Sequence, residues 1–197
     1  DKPDKKDKKD KGERKGKPAA PRATAAEERA ETAWPPLSDL EEAVVRGLRL
    51  TVYNPETIER LGRICRDRRL KAYVHIKVET GTHRQGVEPA ALEDLLGKLP
   101  GYPGLVLEGI SSHFADIEDT TDHTYARHQL DRFRRVLAGF EKKGVRIPIR
   151  HMSCTAAAIL FRETHFDMLR VGIGLYGLWP SKETYVSCLQ QDREPVK

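Results

Sequence analysis

Two segments late in the chain contain residue types that bind phosphate. Thr155 stands before a run of apolar residues and brings a hydroxyl to a predicted helix N-terminus, where free N–H groups and the helix dipole favour anions. Gly172-Ile-Gly174 lets the backbone approach a ligand closely, because glycine has no Cβ. A threonine in this place is more often only a helix cap. Together, the two segments favour a phosphate-bearing cofactor or substrate.

Further polar side chains cluster where predicted strands end. Alternation along residues 72–79 places four of them on one face of a strand: Tyr73, His75, Lys77 and Glu79. The next loop is Gly81-Thr-His-Arg-Gln-Gly86, a later strand ends in Ser111-Ser-His113, and another ends at His151. In parallel barrels, active residues cluster at the carboxyl ends of strands. The sequence therefore predicts a site at this end of a sheet, with no role assigned to His151.

Strands and helices alternate along the chain, which is typical of a parallel sheet with helices outside it. Apolar spacing and turn residues predict five strands, at residues 48–53, 72–79, 104–110, 145–150 and 166–171. They predict helices that open at Ser38 and Asn54, and helices at residues 89–99, 122–143 and 155–161. A complete barrel of this kind has about 250 residues in eight units. Residues 37–197 are therefore predicted to form a partial (β/α)₈ TIM-type barrel of the α/β class, with about five β/α units.

Residues 1–36 differ in composition from the rest of the chain. Residues 1–18 hold nine Lys or Arg and five Asp or Glu, and so carry four of the five net positive charges. The first ten residues have no apolar side chain and an Ala/Pro/Glu-rich stretch follows, so we predict a disordered charged tail. The alternative is a tether for nucleic acid or an anionic surface, which the interspersed Asp residues weaken. The nearly neutral remainder does not favour a nucleic-acid partner.

The rest of the composition indicates a soluble protein in a reducing compartment. Cys65, Cys154 and Cys188 are too few and too scattered for a disulfide framework, and no Cys-x-x-Cys pair suggests zinc. The apolar run at residues 155–161 is far shorter than the roughly 20 residues that span a bilayer. The basic N-terminus lacks the apolar core of a secretory signal. We therefore predict a cytoplasmic protein with no membrane partner.

Three segments resemble the barrel domain of alanine racemases. They are His75-Ile-Lys-Val-Glu-Thr-Gly-Thr-His-Arg-Gln-Gly-Val87, Leu107-Glu-Gly-Ile-Ser-Ser-His-Phe-Ala115 and Phe166-Asp-Met-Leu-Arg-Val-Gly-Ile-Gly-Leu-Tyr-Gly-Leu178. The resemblance covers residues 37–197 and keeps the motifs in order at three strand ends. It implies a pyridoxal-phosphate enzyme that interconverts L- and D-alanine for bacterial peptidoglycan. It also implies an N-terminal barrel, a C-terminal β-domain and a homodimer.

The resemblance implies roles for individual residues, and it implies no metal ligands. Arg170 would hydrogen-bond the pyridine nitrogen of pyridoxal phosphate and, because a guanidinium stays charged, would leave that nitrogen unprotonated. His113 would lie against the cofactor ring. Arg84 would lie near the substrate carboxylate, and Lys77 would be carbamylated and orient Arg84. The phosphate ligands would be Thr155, Gly172 and Ile173.

Two residues of the family's chemistry are not expected in this sequence. The family's cofactor-anchoring lysine lies on a strand before the matched motifs, and its tyrosine base lies in the C-terminal domain. Racemisation needs a proton acceptor on one face of Cα and a donor on the other, so we expect no catalytic residue here and a chain that is inactive alone. Lys77 is not expected to replace the anchor. Cys154 stands where the family usually has asparagine and would loosen the phosphate site, because a thiol is a poor hydrogen-bond partner.

Three alternatives remain open when the residues are taken without the resemblance. In the first alternative, Arg170 and His113 are structural residues: Arg170 could pair with Asp167 or Glu163, and His113 could be a buried histidine whose ring is hydrogen-bonded to the backbone. The histidines and acidic residues within 113–128 would suit a metal-dependent TIM-barrel hydrolase, although most of them fall in a loop and a solvated helix start. A non-catalytic barrel remnant that only binds partner chains is the third alternative.

Overall fold

The computed structural model describes residues 39–191, which form helices around one parallel sheet. The sheet has four strands in chain order: β1 (Leu50–Val52), β2 (Ala72–Lys77), β3 (Leu105–Ser111) and β4 (Ile149–His151). Each neighbouring pair is parallel. The α-helices are α1 (Leu40–Val45), α2 (Pro55–Arg68), α3 (Leu92–Lys98), α4 (Thr124–Lys142), α5 (Thr155–Leu160) and α6 (Lys182–Gln190). The α/β class and the partial parallel barrel are confirmed.

Local signals in the sequence set the ends of α2. Asn54 Oδ1 accepts a hydrogen bond from the Thr57 N–H at 2.8 Å, and Pro55 occupies the first helical position. Proline suits this position because its missing N–H has no helical partner there. The helix ends where Arg69 adopts a left-handed φ of 55°. The predicted opening of a helix at Asn54 is confirmed.

Two predictions fall wholly or partly on residues that the structure does not describe. The predicted tail, residues 1–36, lies outside the described range, and so does Ser38, the predicted opening of α1. The other end of α1 is described. Gly47 follows it with a left-handed φ of 66°, the conformation that commonly ends a helix.

Apolar faces of α2 and α4 cover the sheet. Ile58 and Leu61 of α2 are fully buried, as is Phe133 of α4. They belong to one core with inward-facing side chains of the strands, among them Val52, Val74, Ile76 and Ile110. Full burial of such a side chain contributes about 1.5–3 kcal/mol. This core holds the strand ends, and the loops that follow them, in fixed relative positions.

The strand β3 contains one more residue than the part of β2 with which it pairs. Val74 is opposite Leu107 and His75 is opposite Gly109, so Glu108 has no counterpart in β2. A bulge of this kind re-aims neighbouring side chains. Gly109 is required at this point, because a Cβ there would lie 2.5 Å from His75 Nδ1. The bulge brings the Glu108 carboxylate within 3.1 Å of the His75 ring.

The predicted fifth strand at residues 166–171 is wrong, because the described structure has no strand there. Phe166 has a left-handed φ of 47°, which interrupts an extended segment. The segment still runs beside β4, where the Asp167 N–H donates to the Arg150 carbonyl at 3.0 Å. The chain continues into α6, which the sequence pattern did not predict.

Candidate active site

Arg170 joins the carboxyl ends of β3 and β4. Its Nη2 donates to the carbonyl oxygens of Ser112 and Met152, at 2.8 and 3.1 Å. Its Nη1 donates to His151 Nδ1. The guanidinium is therefore held in one orientation by neutral groups at two adjacent strand ends.

The two acidic residues considered as partners of Arg170 are engaged elsewhere. Asp167 Oδ2 accepts a hydrogen bond from Arg150 Nε at 2.7 Å. Glu163 lies 3.9 Å from a guanidinium nitrogen of Arg127. The hypothesis that Arg170 pairs with Asp167 or Glu163 is wrong, and its positive charge remains available to a ligand.

His113 follows β3 and lies beside Arg170. Its Nδ1 is 3.3 Å from Arg170 Nη2 and accepts the hydrogen bond, because a guanidinium has no acceptor. Burial, and then the positive charges of Arg170, Arg84 and Lys77, lower the pKa of His113 to about 4. Its ring is therefore neutral at pH 7, and its partner is a side chain rather than the backbone.

Gln129 of α4 holds the loop that carries His113. Gln129 is fully buried. Its Nε2 donates to the His113 carbonyl at 3.1 Å, and its Oε1 accepts from the Ala115 N–H at 3.0 Å. Thr82 Oγ1 donates to the same carbonyl of His113 at 2.7 Å. Sequence reasoning missed Gln129, and the signal was a polar residue on the apolar face of α4.

Backbone hydrogen bonds join the two ends of the loop after β2. The Val87 N–H donates to the Lys77 carbonyl at 2.8 Å, and the Glu79 N–H donates to the Val87 carbonyl at 2.9 Å. The Glu79 carboxylate also accepts from the Gly81 N–H at 2.5 Å. This loop carries Arg84, whose side chain is exposed.

Lys77 lies at the end of β2, and its environment disfavours a charged ammonium. Burial lowers the pKa of Lys77, and the positive charges of Arg84 and Arg170 lower it further. Its Nζ donates to Gln85 Oε1 at 3.4 Å. The structure therefore brings Lys77, Arg84, His113 and Arg170 into one electrostatically coupled group.

Thr155 meets the glycines that follow Arg170. Its Oγ1 accepts from the N–H groups of Gly172 and Gly174, at 3.1 and 3.4 Å. The hydroxyl keeps its own proton to donate, so one hydroxyl and two backbone N–H groups lie together, and donors of these kinds bind phosphate. A Cβ at Gly174 would lie 2.6 Å from Thr155 Cγ2, so the close approach requires glycine. Ile173 lies between the two glycines with an exposed side chain.

Cys154 is the residue before α5. Its side chain makes no capping hydrogen bond to the helix. Burial raises the pKa of the thiol, which is therefore neutral at pH 7. A looser phosphate site at Cys154 remains a prediction.

His151 belongs to a chain of polar side chains that crosses the sheet. Its Nδ1 accepts from Arg170, and its Nε2 lies 2.8 Å from His75 Nδ1. His75 Nε2 in turn lies 3.1 Å from Glu108 Oε2. The sequence indicated only that His75 faces the polar side of β2. It gave no sign of the bulge that brings Glu108 to this ring.

Residues 39–191 meet neither the requirements of a metal-binding cluster nor those of a membrane-spanning helix. No group of three or more His, Cys, Asp or Glu side chains in this range could hold a metal ion. The acidic residues and histidines within 113–128 therefore give no support to a metal-dependent hydrolase. None of the helices in the same range is long and apolar enough to cross a membrane.

Most of this chain matches the model of a known family. The family model described as "Alanine racemase, N-terminal domain" matches residues 22–180. The chain belongs to the alanine racemase family. All the site residues described above lie within the matched range. The match also includes residues 22–36, which were predicted to belong to the tail.

Curated alanine racemases are similar to part of this chain. Alanine racemase 1 of Oceanobacillus iheyensis is 37% identical over 149 residues, which are 75% of this chain and 39% of that protein. The alanine racemase of Halothermothrix orenii is 40% identical over 133 residues, which are 68% of this chain and 35% of that protein. This chain thus spans less than half the length of the curated relatives it matches.

Solved structures share the fold. The alanine racemase of Clostridium difficile 630 in complex with cycloserine has a TM-score of 0.72 and 28% identity, covering 77% of this chain and 42% of that one. The enzyme from Streptomyces lavendulae has a TM-score of 0.70 and 31% identity, covering 80% and 41%. A histidine racemase from Leuconostoc mesenteroides has a TM-score of 0.65 at 22% identity, which shows the fold alone. The fold therefore does not decide the substrate.

Proposed function

We propose that this chain is the cofactor-binding part of a pyridoxal-phosphate-dependent alanine racemase. The observation that carries the proposal is the placing of Arg170 beside the donor set of Thr155, Gly172 and Gly174. Arg170 lies two residues before Gly172 and four before Gly174, and the N–H groups of both glycines donate to the Thr155 hydroxyl. Pyridoxal phosphate has an acceptor ring nitrogen and a phosphate, so its two ends match these two groups.

The phosphate would be held by the hydroxyl of Thr155 and by backbone N–H groups at residues 172–174. The two glycine N–H groups donate to Thr155 Oγ1 in this structure. A phosphate beside the hydroxyl would take over as their acceptor and would also accept from the hydroxyl. The 2.6 Å approach that a Cβ at Gly174 would make to Thr155 shows how closely the backbone is placed. The donor set thus fits the phosphate of the cofactor.

Arg170 would hold the pyridine nitrogen. When bound, pyridoxal phosphate withdraws electrons from the Cα of an amino acid and so acidifies the Cα proton. Arg170 stays charged at neutral pH and can only donate, so it would keep the ring nitrogen as an unprotonated acceptor. This restrains electron withdrawal and favours proton exchange over side reactions.

Other residues would orient the ring and the substrate. His113 would place the face of its neutral imidazole against the cofactor ring. Arg84 would bind the carboxylate of alanine, and a carbamylated Lys77 would orient Arg84. We assign the two proton-transferring bases to none of the described residues. A homodimeric assembly and a cytoplasmic location, supplying D-alanine for peptidoglycan, complete the proposal.

Cofactor binding is tested by titrating the 197-residue chain with pyridoxal phosphate and, as a matched ligand, pyridoxal. Pyridoxal lacks the phosphate, so we expect clearly weaker binding of pyridoxal to the wild-type chain. A Thr155→Val variant should reduce this difference, because it loses the hydroxyl and keeps the shape. Equal affinities for both ligands in the wild-type chain would contradict the phosphate site.

Racemisation is tested by replacing the matching segment of Alanine racemase 1 of Oceanobacillus iheyensis with residues of this chain. We expect the hybrid to form D-alanine from L-alanine. Arg134→Ala, on the exposed face of α4, serves as the matched control for Arg170→Ala. A folded hybrid that binds pyridoxal phosphate without turnover would favour the non-catalytic alternative.

A further inference from the structure

A continuous chain of four polar side chains lies behind the proposed cofactor site. It consists of Arg170, His151, His75 and Glu108, with ring contacts of 2.8 Å between the histidines and 3.1 Å to the carboxylate. His75 and His151 are buried, with 7% and 5% of their surface exposed. Both nitrogens of each ring have a partner within the chain.

The two ends of this chain determine where its protons lie. A guanidinium only donates and a carboxylate only accepts. His151 Nδ1 must accept from Arg170, so the His151 proton is on Nε2 and is donated to His75 Nδ1. His75 then also has its proton on Nε2 and donates it to Glu108. No other distribution of protons satisfies all three contacts, and both rings are neutral in it.

The backbone of β3 is shaped to make these contacts. Glu108 is itself the extra residue of the bulge, and Gly109 leaves space for the His75 ring that any Cβ would occupy. Burial raises the pKa of Glu108, but hydrogen bonds from Arg49 and His75 lower it below its usual value. Glu108 is therefore an ionised acceptor at neutral pH.

We infer that Glu108, His75 and His151 are positioning residues that hold the guanidinium of Arg170 in place for the cofactor. The cofactor half of this inference rests on the proposed function, whereas the contacts among the four side chains do not. Hydrogen bonds aligned in one direction polarise one another. The charge of Glu108 thus stabilises Arg170 across two rings without a direct ion pair.

The proton positions are tested first, by NMR of the 197-residue chain with ¹⁵N-labelled histidine. His75→Gln and His151→Gln identify the two signals. At pH 7 we expect both residues to be neutral with the proton on Nε2. A proton on Nδ1 of either ring, or a doubly protonated ring, would overturn the inference.

The positioning role is tested with a matched pair, His75→Leu and His75→Gln. Glutamine supplies one donor and one acceptor, and leucine supplies neither. In His75→Leu we expect the resolved guanidinium NMR signals of Arg170 to be lost, and the affinity for pyridoxal phosphate to fall about three- to tenfold. His75→Gln should retain both properties. Circular dichroism checks that each variant folds.

An Arg170→Leu variant separates this inference from the proposed function. If Arg170→Leu weakens pyridoxal phosphate binding and His75→Leu does not, the positioning role is overturned and the proposed function stands. If Arg170→Leu leaves the affinity unchanged, the cofactor role of Arg170 fails. The proton positions and the Arg170 signals in the His75 variants then still decide the positioning role.

Discussion

The carboxylate of Asp167 accepts hydrogen bonds from both the backbone N–H and the side chain of Arg150, at 2.8 and 2.7 Å. These bonds join the segment after α5 to β4 where a strand ladder was predicted. They also occupy the acidic residue nearest in sequence to Arg170. Arg170 can therefore turn toward the strand ends, where its partners are neutral.

Substitution of Arg170 should weaken the binding of pyridoxal phosphate. Arg170→Ala removes a charge-assisted hydrogen bond of about 1.5–3 kcal/mol, so we expect roughly ten- to a hundredfold lower affinity. The affinity of Arg170→Lys should lie between those of the wild type and Arg170→Ala, because lysine keeps the charge but lacks the planar fork of the guanidinium. Calorimetric titration gives the affinities, with Arg134→Ala as control. An affinity for Arg170→Ala equal to that of the control would show a purely structural residue.

A methyl group at Gly174 should damage the phosphate site. In Gly174→Ala the new Cβ would lie 2.6 Å from Thr155 Cγ2, so the backbone must move away from the hydroxyl. We expect at least about tenfold weaker pyridoxal phosphate binding, as for the loss of two hydrogen bonds. Gly139→Ala is the matched control, because a Cβ at Gly139 would meet no atom within 4 Å. Similar affinities for the two variants would count against the site.

Lys77 should react with carbon dioxide to form a carbamate. The neutral amine is the reactive form, and burial together with Arg84 and Arg170 lowers the pKa of Lys77 and so increases its population. The reaction joins the amine nitrogen to the carbon of CO₂ and releases a proton, and the product attracts both arginines. With ¹³CO₂ we expect a carbamate NMR signal that Lys77→Arg abolishes and Lys98→Arg, at an exposed position, retains. A spectrum without this signal at saturating ¹³CO₂ would refute the prediction.

The folded chain should lose stability in mild acid. The pKa of His113 is about 4 and that of His151 about 3, below the usual 6.5. Below pH 6.5 the unfolded chain therefore takes up protons that these folded histidines do not. Each of the two histidines should lower the free energy of unfolding by up to about 1.4 kcal/mol per pH unit as the pH falls. The effect begins near pH 6.5 and ends near the pKa of that histidine in the folded chain.

Urea denaturation at pH 7, 6 and 5 measures this dependence. The comparison stays above the range in which carboxylates protonate, so the histidines decide it. His113→Gln removes one titrating group, so its free energy of unfolding should decline less steeply with falling pH than that of the wild type. Identical slopes for the two proteins would mean that the pKa of His113 is the same in the folded and the unfolded chain.

The start of α2 and the end of α1 could be predicted from the sequence because their signals are local. Asn54 and Pro55 begin α2 by contacts within one helical turn, and Gly47 ends α1 through its own φ. The predicted strand at residues 166–171 is wrong because the feature that interrupts it leaves no signal in the sequence. Its apolar residues indicate burial, but no pattern reveals the left-handed φ of Phe166.

The site could be predicted in part. Motifs at strand ends indicated Arg170, His113 and Thr155, and the structure brings them to one edge of the sheet. The contact between His75 and His151 joins residues 76 positions apart. It depends on strand order and on the bulge in β3, neither of which leaves a local pattern.

The bulge at Glu108 also interrupts the alternation of side chains along β3. Val74 and His75 are successive residues and face opposite sides of the sheet, so their partners Leu107 and Gly109 also face opposite sides although they are two positions apart. Deleting Glu108 would leave Gly109 and Ser111 paired with His75 and Lys77 as before, but it would remove the carboxylate that lies 3.1 Å from the His75 ring. The extra residue of β3 is therefore not needed for pairing with β2, and its structural contribution is the contact between Glu108 and His75.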